Sequence, residues 1–96
     1  MKVVISFRAY SDMQNIYLFD AERNQAFAEK RAGHIHRQFE NIARFPALGR
    51  LWPDPDSKIR RLVASQHLIF YRTDEEAILI LRVPGGSMDV ENELLR

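Results

Sequence analysis

The side chains best suited to phosphate or acid–base chemistry lie in a short stretch of the second half of the chain. Lys58, Arg60 and Arg61 are close neighbours, and His67 follows them. Arginine and lysine can hold a phosphate group, and a histidine can transfer a proton near neutral pH. If these four residues converged, they could serve a metal-independent ribonuclease, in which cations stabilise the phosphate and a base assists the attacking 2′-hydroxyl.

Each of these four residues also has a structural interpretation. Lys58 and Arg60 could lie on a solvated strand face, whereas Arg61 could point inward with Val63 and form a partly buried ion pair. His67 begins an apolar run, where a strand-end histidine with one hydrogen bond is a simpler interpretation than a catalytic base. The residue types alone leave both interpretations open.

Metal and thiol chemistry find little support in the sequence. The chain has no cysteine, which excludes disulfides, thiolate zinc sites and cysteine catalysis. His34 and His36 are two positions apart in a predicted helix and therefore point in different directions. We expect neither a metal site nor a cofactor.

Three further side chains are candidates for contact with a partner protein. Trp52 lies in a proline-bounded loop, where it could cover the edge of the core or anchor a partner, since aromatic residues are enriched in binding hot spots. Arg72 and Arg82 flank the predicted sheet and could contact a partner. They could equally form salt bridges with the acidic residues 74–76.

The composition is that of one ordinary globular domain covering residues 1–96. Apolar residues make up 46% of the chain and charged residues 28%. No apolar run is long enough to span a bilayer, and the N-terminus is too short in apolar residues for a signal peptide, so we expect a cytoplasmic protein. The net charge of +1 gives no bulk electrostatic case for nucleic-acid binding.

The first half of the chain predicts a strand followed by two helices. Residues 3–7 are rich in β-formers, and helical spacing begins at an N-cap on Ser6, or alternatively at a capping box that starts at Ser11. Asn24 can cap a second helix, whose apolar stripe stops before Pro46. Gly33 in that helix predicts close backbone packing or a slight kink.

The second half predicts a loop and three strands. Residues 46–57 contain three prolines and read as a loop, and strands are expected at residues 58–64, 67–72 and 77–83, with turns at 65–66 and 74–76. Residues 89–96 could add one or two helical turns. The order β-α-α-β-β-β predicts an α+β fold, in which an N-terminal helical hairpin packs on a mainly antiparallel sheet.

This arrangement resembles the RelE/ParE toxin superfamily along nearly the whole chain. The resemblance rests on the order and spacing of short motifs: Ala9, Asp12-Met13 and Ile16-Tyr17; Phe45-Pro46-Ala47-Leu48-Gly49-Arg50; His67-Leu68-Ile69-Phe70-Tyr71-Arg72; and Ile78-Leu79-Ile80-Leu81-Arg82-Val83. It implies a toxin of a type II toxin–antitoxin pair. RelE-like members cleave messenger RNA on the ribosome, whereas ParE-like members poison DNA gyrase.

The residues after the last predicted strand favour the ParE-like branch. RelE-like relatives keep part of their catalytic cluster there, but residues 83–90 contain no His, Tyr, Lys or Arg. We therefore expect a gyrase inhibitor that acts by binding and has no catalytic residues. A RelE-like ribonuclease using Lys58, Arg60, Arg61 and His67 is the alternative, and a non-toxic module that only binds its antitoxin is a third.

The resemblance also implies the partners. A cognate ParD-like antitoxin, of the ribbon-helix-helix type, would wrap an acidic and apolar tail along the helical hairpin and the sheet. DNA gyrase would be the target, and we expect neither membrane association nor sequence-specific DNA binding by this chain itself. The predicted contact residues for antitoxin or target are Trp52, Lys58, Arg60, Arg61, Arg72 and Arg82.

Overall fold

The structure, a computed structural model, describes residues 1–84. They form two helices and one five-stranded sheet in the order β1-β5-β4-β3-β2. Strand β1 pairs parallel with β5, and the other neighbouring strands pair antiparallel. The elements are β1 (Lys2–Ile5), α1 (Phe7–Arg23), α2 (Gln25–Arg44), β2 (Arg50–Leu51), β3 (Arg60–Ala64), β4 (His67–Thr73) and β5 (Ala77–Arg82). This confirms the predicted α+β fold, with a helical hairpin preceding most of the sheet.

One polar side chain sets the start of each helix. The Oγ of Ser6 accepts the backbone N–H of Ala9 at 3.0 Å and donates to the carbonyl of Leu81 at 2.9 Å, so it caps α1 and ties it to the end of β5. The Oδ1 of Asn24 accepts the N–H of Phe27 at 3.0 Å and caps α2. Both predicted caps are confirmed, and the alternative start at Ser11 is wrong.

The hairpin packs on one face of the sheet through the predicted stripe of α2. Ile35, Phe39 and Ile42 are buried there with Ile78 and Ile80 of β5. Burial of such side chains contributes about 1.5–3 kcal/mol each. The core therefore lies between the helices and the sheet.

Three details differ from the expectations. Arg50 and Leu51 lie in the predicted loop 46–57 but form a two-residue strand on β3, a length too short to carry a periodic signal. A Cβ at Gly33 would have open space within 4 Å in the described part of the chain, so close packing at this glycine was a wrong expectation. Val63 is 63% exposed, so it does not point inward.

The turns follow the sequence closely. Ser65 and Gln66 both have positive φ, 49° and 70°, which is the backbone geometry that matches a two-residue hairpin to the twist of its strands. The second hairpin closes with a hydrogen bond from the N–H of Asp74 to the carbonyl of Ala77 at 2.8 Å. Neither helix in residues 1–84 has the length and hydrophobicity that a bilayer-spanning segment needs. The expected helical turns at 89–96 lie outside the described residues.

Candidate functional site

The four candidate catalytic residues do not converge on one point. Lys58 is exposed in the loop before β3, with a left-handed backbone at φ 61°. Arg60 and Arg61 are adjacent in β3, and neighbouring residues of a strand point to opposite faces of the sheet. Arg60 shares the helix side with Tyr71, where its guanidinium donates to the carbonyl of Gly49 at 2.7 Å.

Arg61 lies on the other face of the sheet. Its guanidinium carbon is 5.9 Å from the centre of the Trp52 ring, and that ring packs edge-on against Phe70 at 5.4 Å. Trp52 is half-buried and covers the fully buried Phe70, which corresponds to the lid interpretation of this loop tryptophan. We expected Arg61 to point inward with Val63. This expectation is wrong, because the core lies on the opposite, helix-facing side of the sheet.

His67 is 8% exposed, and both of its ring nitrogens are engaged inside the protein. Its Nδ1 lies 3.2 Å from the carbonyl of Pro84, and its Nε2 lies 2.6 Å from the guanidinium of Arg31. A carbonyl only accepts and a guanidinium only donates, so Nδ1 carries the proton and Nε2 keeps its lone pair. The imidazole thus links α2 to the residues that follow β5.

Behind His67 lies a buried charge pair that the sequence interpretation did not anticipate. The Nε of Arg31 is 3.4 Å from Oδ2 of Asp20, which is 4% exposed, and neither atom has a hydrogen-bond partner among the described residues. Asp20 falls on the apolar stripe of α1, and an acid at a core-facing position requires a buried cation. That signal was present in the sequence, but it did not identify Arg31.

Arg82 is also part of the internal scaffold. Its guanidinium binds the carboxylate of Asp12 in a bidentate manner, at 2.7 Å and 2.9 Å, and the same carboxylate accepts the N–H of Val83 at 3.0 Å. Arg82 is only 5% exposed. The expected pairing with residues 74–76 is wrong, because this arginine joins α1 to the end of β5.

Of the six predicted contact residues, Lys58 and Arg72 are exposed, and the others lie partly or fully inside the protein. The pair His34 and His36 is exposed on α2. Among residues 1–84 no group of three or more His, Cys, Asp or Glu side chains is arranged to hold a metal.

The loop before β3 is fixed by the hydroxyl of Tyr71. This hydroxyl donates to the carbonyl of Pro46 at 2.8 Å and accepts the N–H of Gly49 at 2.8 Å. Burial raises the pKa of Tyr71 above its ordinary value, while the hydrogen bond from Gly49 and the charge of Arg60 oppose that rise. A Cβ at Gly49 would lie 2.9 Å from both Tyr71 and the carbonyl of Arg61, so only glycine fits.

The most distinctive surface of the molecule is the outward side of α1. Phe7, Tyr10 and Leu18 are 86%, 55% and 61% exposed. With Gln14 they follow the i, i+3, i+7, i+11 spacing of one helix face. These four side chains, which we call the hairpin face, carry no charge. The sequence interpretation considered only the inward stripe of this helix, although the same periodicity marks the outward one.

A groove of about 350 Å³ lies beside the hairpin face, between α1 and α2. The described residues that line it are mostly apolar: Ile5, Tyr10, Met13, Gln14, Ile16, Tyr17, Leu18, Ala28, Ala32, Ile35 and His36. Enrichment in aromatic residues and depletion of charge distinguish the core of a protein–protein interface from ordinary surface. The arrangement can therefore bury an apolar segment of a partner protein.

Comparisons with known proteins agree with this architecture. Residues 3–90 match the family described as the ParE toxin of the type II toxin–antitoxin system, parDE. Among solved structures, a chain from the chromosomal ParDE toxin–antitoxin system of P. aeruginosa is similar in fold, with a TM-score of 0.74 and 21% identity over 88% of this chain and 94% of that chain. No curated protein matches significantly. Because the family match covers nearly the whole sequence, this chain belongs to the ParE toxin family.

Proposed function

We propose that this chain is the toxin of a type II toxin–antitoxin pair, that it inhibits DNA gyrase by direct binding, and that a cognate antitoxin neutralises it. The observation that carries the proposal is the uncharged hairpin face with its groove, on a chain of the ParE family. Aromatic anchors without charge suit binding, since such side chains supply most of the energy of an interface.

The antitoxin in this proposal is a ParD-like protein with a ribbon-helix-helix domain. Its apolar side chains would fill the groove between α1 and α2, which is large enough for several of them. Its acidic residues would be attracted to exposed cations of the sheet side, Lys58 and Arg72. Both proposed partners act in the cytoplasm, so the proposal places this chain there.

The state of the basic residues argues against ribonuclease chemistry. A general base must reach the proton it removes, but both ring nitrogens of His67 are occupied by Arg31 and Pro84. Arg60 donates to the carbonyl of Gly49, and Arg61 lies on the opposite face of the sheet. Residues 83–90 also lack the basic and proton-transfer side chains of RelE-like relatives. Of that stretch, residues 85–90 lie outside the described part of the chain.

A supercoiling assay tests this proposal. Purified chain is titrated into DNA gyrase acting on relaxed plasmid, and inhibition or trapped cleaved DNA is the expected result, reversed by the antitoxin. The same preparation is added to translating ribosomes, where codon-dependent cuts in messenger RNA without any effect on gyrase would contradict the proposal. Normal growth of cells that express the chain without its antitoxin would favour a module that only binds.

A further inference from the structure

A second exposed apolar surface is the side of the sheet that faces away from the helices. Ile78 and Ile80 of β5 are buried with the helices, so Leu79 and Leu81, which alternate with them, point to the other side. The same alternation in β1, β3 and β4 brings further apolar side chains there. We call this surface the open face, and its half-buried or exposed apolar members are Val4, Val63, Leu68, Leu79 and Leu81.

Charge is unevenly distributed around the open face. Acidic residues flank one end of the sheet, in the loop before β3 and in the turn between β4 and β5: Asp54, Asp56 and residues 74–76. The cations of this side, Arg61 and Arg72, lie near the start of β3 and the end of β4, and thus nearer that same end. Val63, Leu68 and Leu81 lie at the other end, where β3 and β5 end and β4 begins. That end is therefore mainly apolar.

Residues 85–96 start beside this apolar end. The carbonyl of Pro84 lies 3.2 Å from Nδ1 of His67, and the N–H of Val83 donates to the carboxylate of Asp12 at 3.0 Å. These contacts also show that the helix side is filled here, because Asp12 belongs to α1 and Arg31 of α2 contacts His67. The chain thus leaves Pro84 at the boundary between an occupied face of the sheet and the open face.

The sequence of residues 85–96 suits such a surface. It begins with two glycines, which can adopt the backbone conformations that a chain reversal needs. The segment then carries four apolar side chains and three acidic ones: Met88, Val90, Leu94 and Leu95, with Asp89, Glu91 and Glu93. Residues 88–95 span roughly 12 Å as a helix or roughly 26 Å when extended, and the seven residues of β4 span roughly 23 Å. Either length fits the open face.

We propose that residues 85–96 fold back from Pro84 and cover the apolar end of the open face, with their apolar side chains on Leu68 and Leu81. The choice of this occupant rests on its attachment. A short tether holds the segment at a millimolar effective concentration, whereas a separate molecule must first lose its translational freedom. The hairpin face then remains open to a partner. The inference goes beyond the proposed function and does not depend on gyrase as the target.

The absence of cysteine from the chain allows a direct test by engineered disulfides. Leu68→Cys/Leu94→Cys joins the segment to the open face, and Gln14→Cys/Leu94→Cys joins it to the hairpin face as the control. The two pairs are matched in reach. Leu68 is next to the histidine that contacts Pro84. Gln14 is two residues from the aspartate that contacts Val83. Circular dichroism checks the fold of both variants, and Val63→Cys, at an exposed position, replaces Leu68→Cys if the latter is unfolded.

Each variant is equilibrated in a glutathione redox buffer, and mass spectrometry measures the fraction of disulfide within one chain. The effective concentration of the open-face pair is expected to exceed that of the control pair by about tenfold or more. An equal or higher value for the control pair would overturn the inference. Disulfides that join mainly two chains would overturn it as well, and would instead indicate a second copy on the open face.

Thiol reactivity gives a second measurement without a disulfide. In the single variant Leu68→Cys, adding Leu94→Asp and Leu95→Asp should speed labelling of the thiol by about threefold or more, because the segment no longer shields it. The thiol of Gln14→Cys should change by less than about twofold with the same additions. Unchanged labelling in both would contradict the inference. Protection of the Leu68→Cys thiol by the antitoxin, without any effect of the added aspartates, would assign the open face to the antitoxin instead.

Discussion

The hairpin face and the basic residues of the sheet use their side chains in opposite ways. On α1, Phe7, Tyr10 and Leu18 turn outward and gather on one surface. On the sheet, the cations are dispersed. Arg82 is buried on Asp12, and Arg60 is bound to the backbone of Gly49. A catalytic centre would require the basic side chains of the sheet to converge, and they do not. A binding surface requires apolar side chains that gather at the surface, as those of the hairpin face do.

The difference teaches that residue type alone was a misleading guide to the site. Arginine and histidine attract attention because they can do chemistry, yet here they contact buried carboxylates, the backbone or one another. A phenylalanine at a helix surface attracts little attention, but Phe7, Tyr10 and Leu18 together form an exposed apolar patch, and such a patch indicates a partner. Four substitutions probe this contrast, in order of decreasing expected effect.

The largest effect is expected at the buried pair of Arg82 and Asp12. Arg82→Leu should lower the free energy of unfolding by about 3–5 kcal/mol, because it leaves a buried carboxylate without its cation. Replacing both residues by leucine should recover much of that loss. Urea denaturation measures the free energy of unfolding of both variants. A small loss of stability together with weakened antitoxin binding would instead indicate that Arg82 lies in the interface with the antitoxin.

The hairpin face predicts a large effect on binding and a small one on stability. Leu18→Glu should weaken antitoxin binding by about 100-fold, equivalent to roughly 2.7 kcal/mol, since it puts a charge into an apolar contact. Leu48→Glu is the control, because Leu48 is also an exposed leucine but lies outside the hairpin face, its groove and the strands of the sheet. Calorimetric titration compares the two variants. Equal weakening by both variants would mean that the hairpin face has no special part in antitoxin binding.

Tyr71→Phe should destabilise the protein by about 1–2 kcal/mol, because it leaves the N–H of Gly49 and the carbonyl of Pro46 without their partner. The pKa of Tyr71 is raised in the folded state, so the folded chain holds this proton more tightly than the unfolded chain does. Its contribution to stability is complete below a pH of about 10 and is lost as the pH rises through the folded pKa. Chemical denaturation of the unmodified chain and of Tyr71→Phe across that pH range checks the direction of the change in stability. A difference between them that grows above pH 10 would contradict it.

The smallest effect is expected at Gly33. Gly33→Ala should raise the free energy of unfolding by about 0.5–1 kcal/mol, because an added methyl group has open space and the helix loses less entropy on folding. Thermal denaturation of the free chain measures it. Unchanged or lower stability would mean that the glycine relieves a strain not visible in its contacts.

The fold was predictable because its signals are local and repeated. The caps at Ser6 and Asn24, the stripe of α2 and the turn at Ser65 each depend on a few adjacent residues. Strand β2 was missed because two residues carry no periodicity, and its pairing depends on β3. Only the folded sheet brings those residues together.

The candidate site was predictable only in part, because its side chains contact residues that are distant along the chain. His67 and Arg31 are 36 residues apart, and Arg82 and Asp12 are 70 apart, so no spacing rule relates them. The alternation of β3 was recognised, but which face the helices cover was not, and Arg61 was placed on the wrong side. The exposed stripe of α1 has a clear period, yet an apolar residue on a helix is assumed to be buried until the packing is known.

The central claim is that this chain acts by occupying gyrase and not by RNA chemistry at the sheet. The double variant Lys58→Ala/His67→Asn removes the exposed cation and the imidazole that a ribonuclease would need, and Asn can still donate to the carbonyl of Pro84. We predict that the folded variant inhibits gyrase supercoiling over the same concentration range as the unmodified chain. The account would be contradicted if the unmodified chain left gyrase active and cut ribosome-bound messenger RNA, and the double variant lost that cleavage.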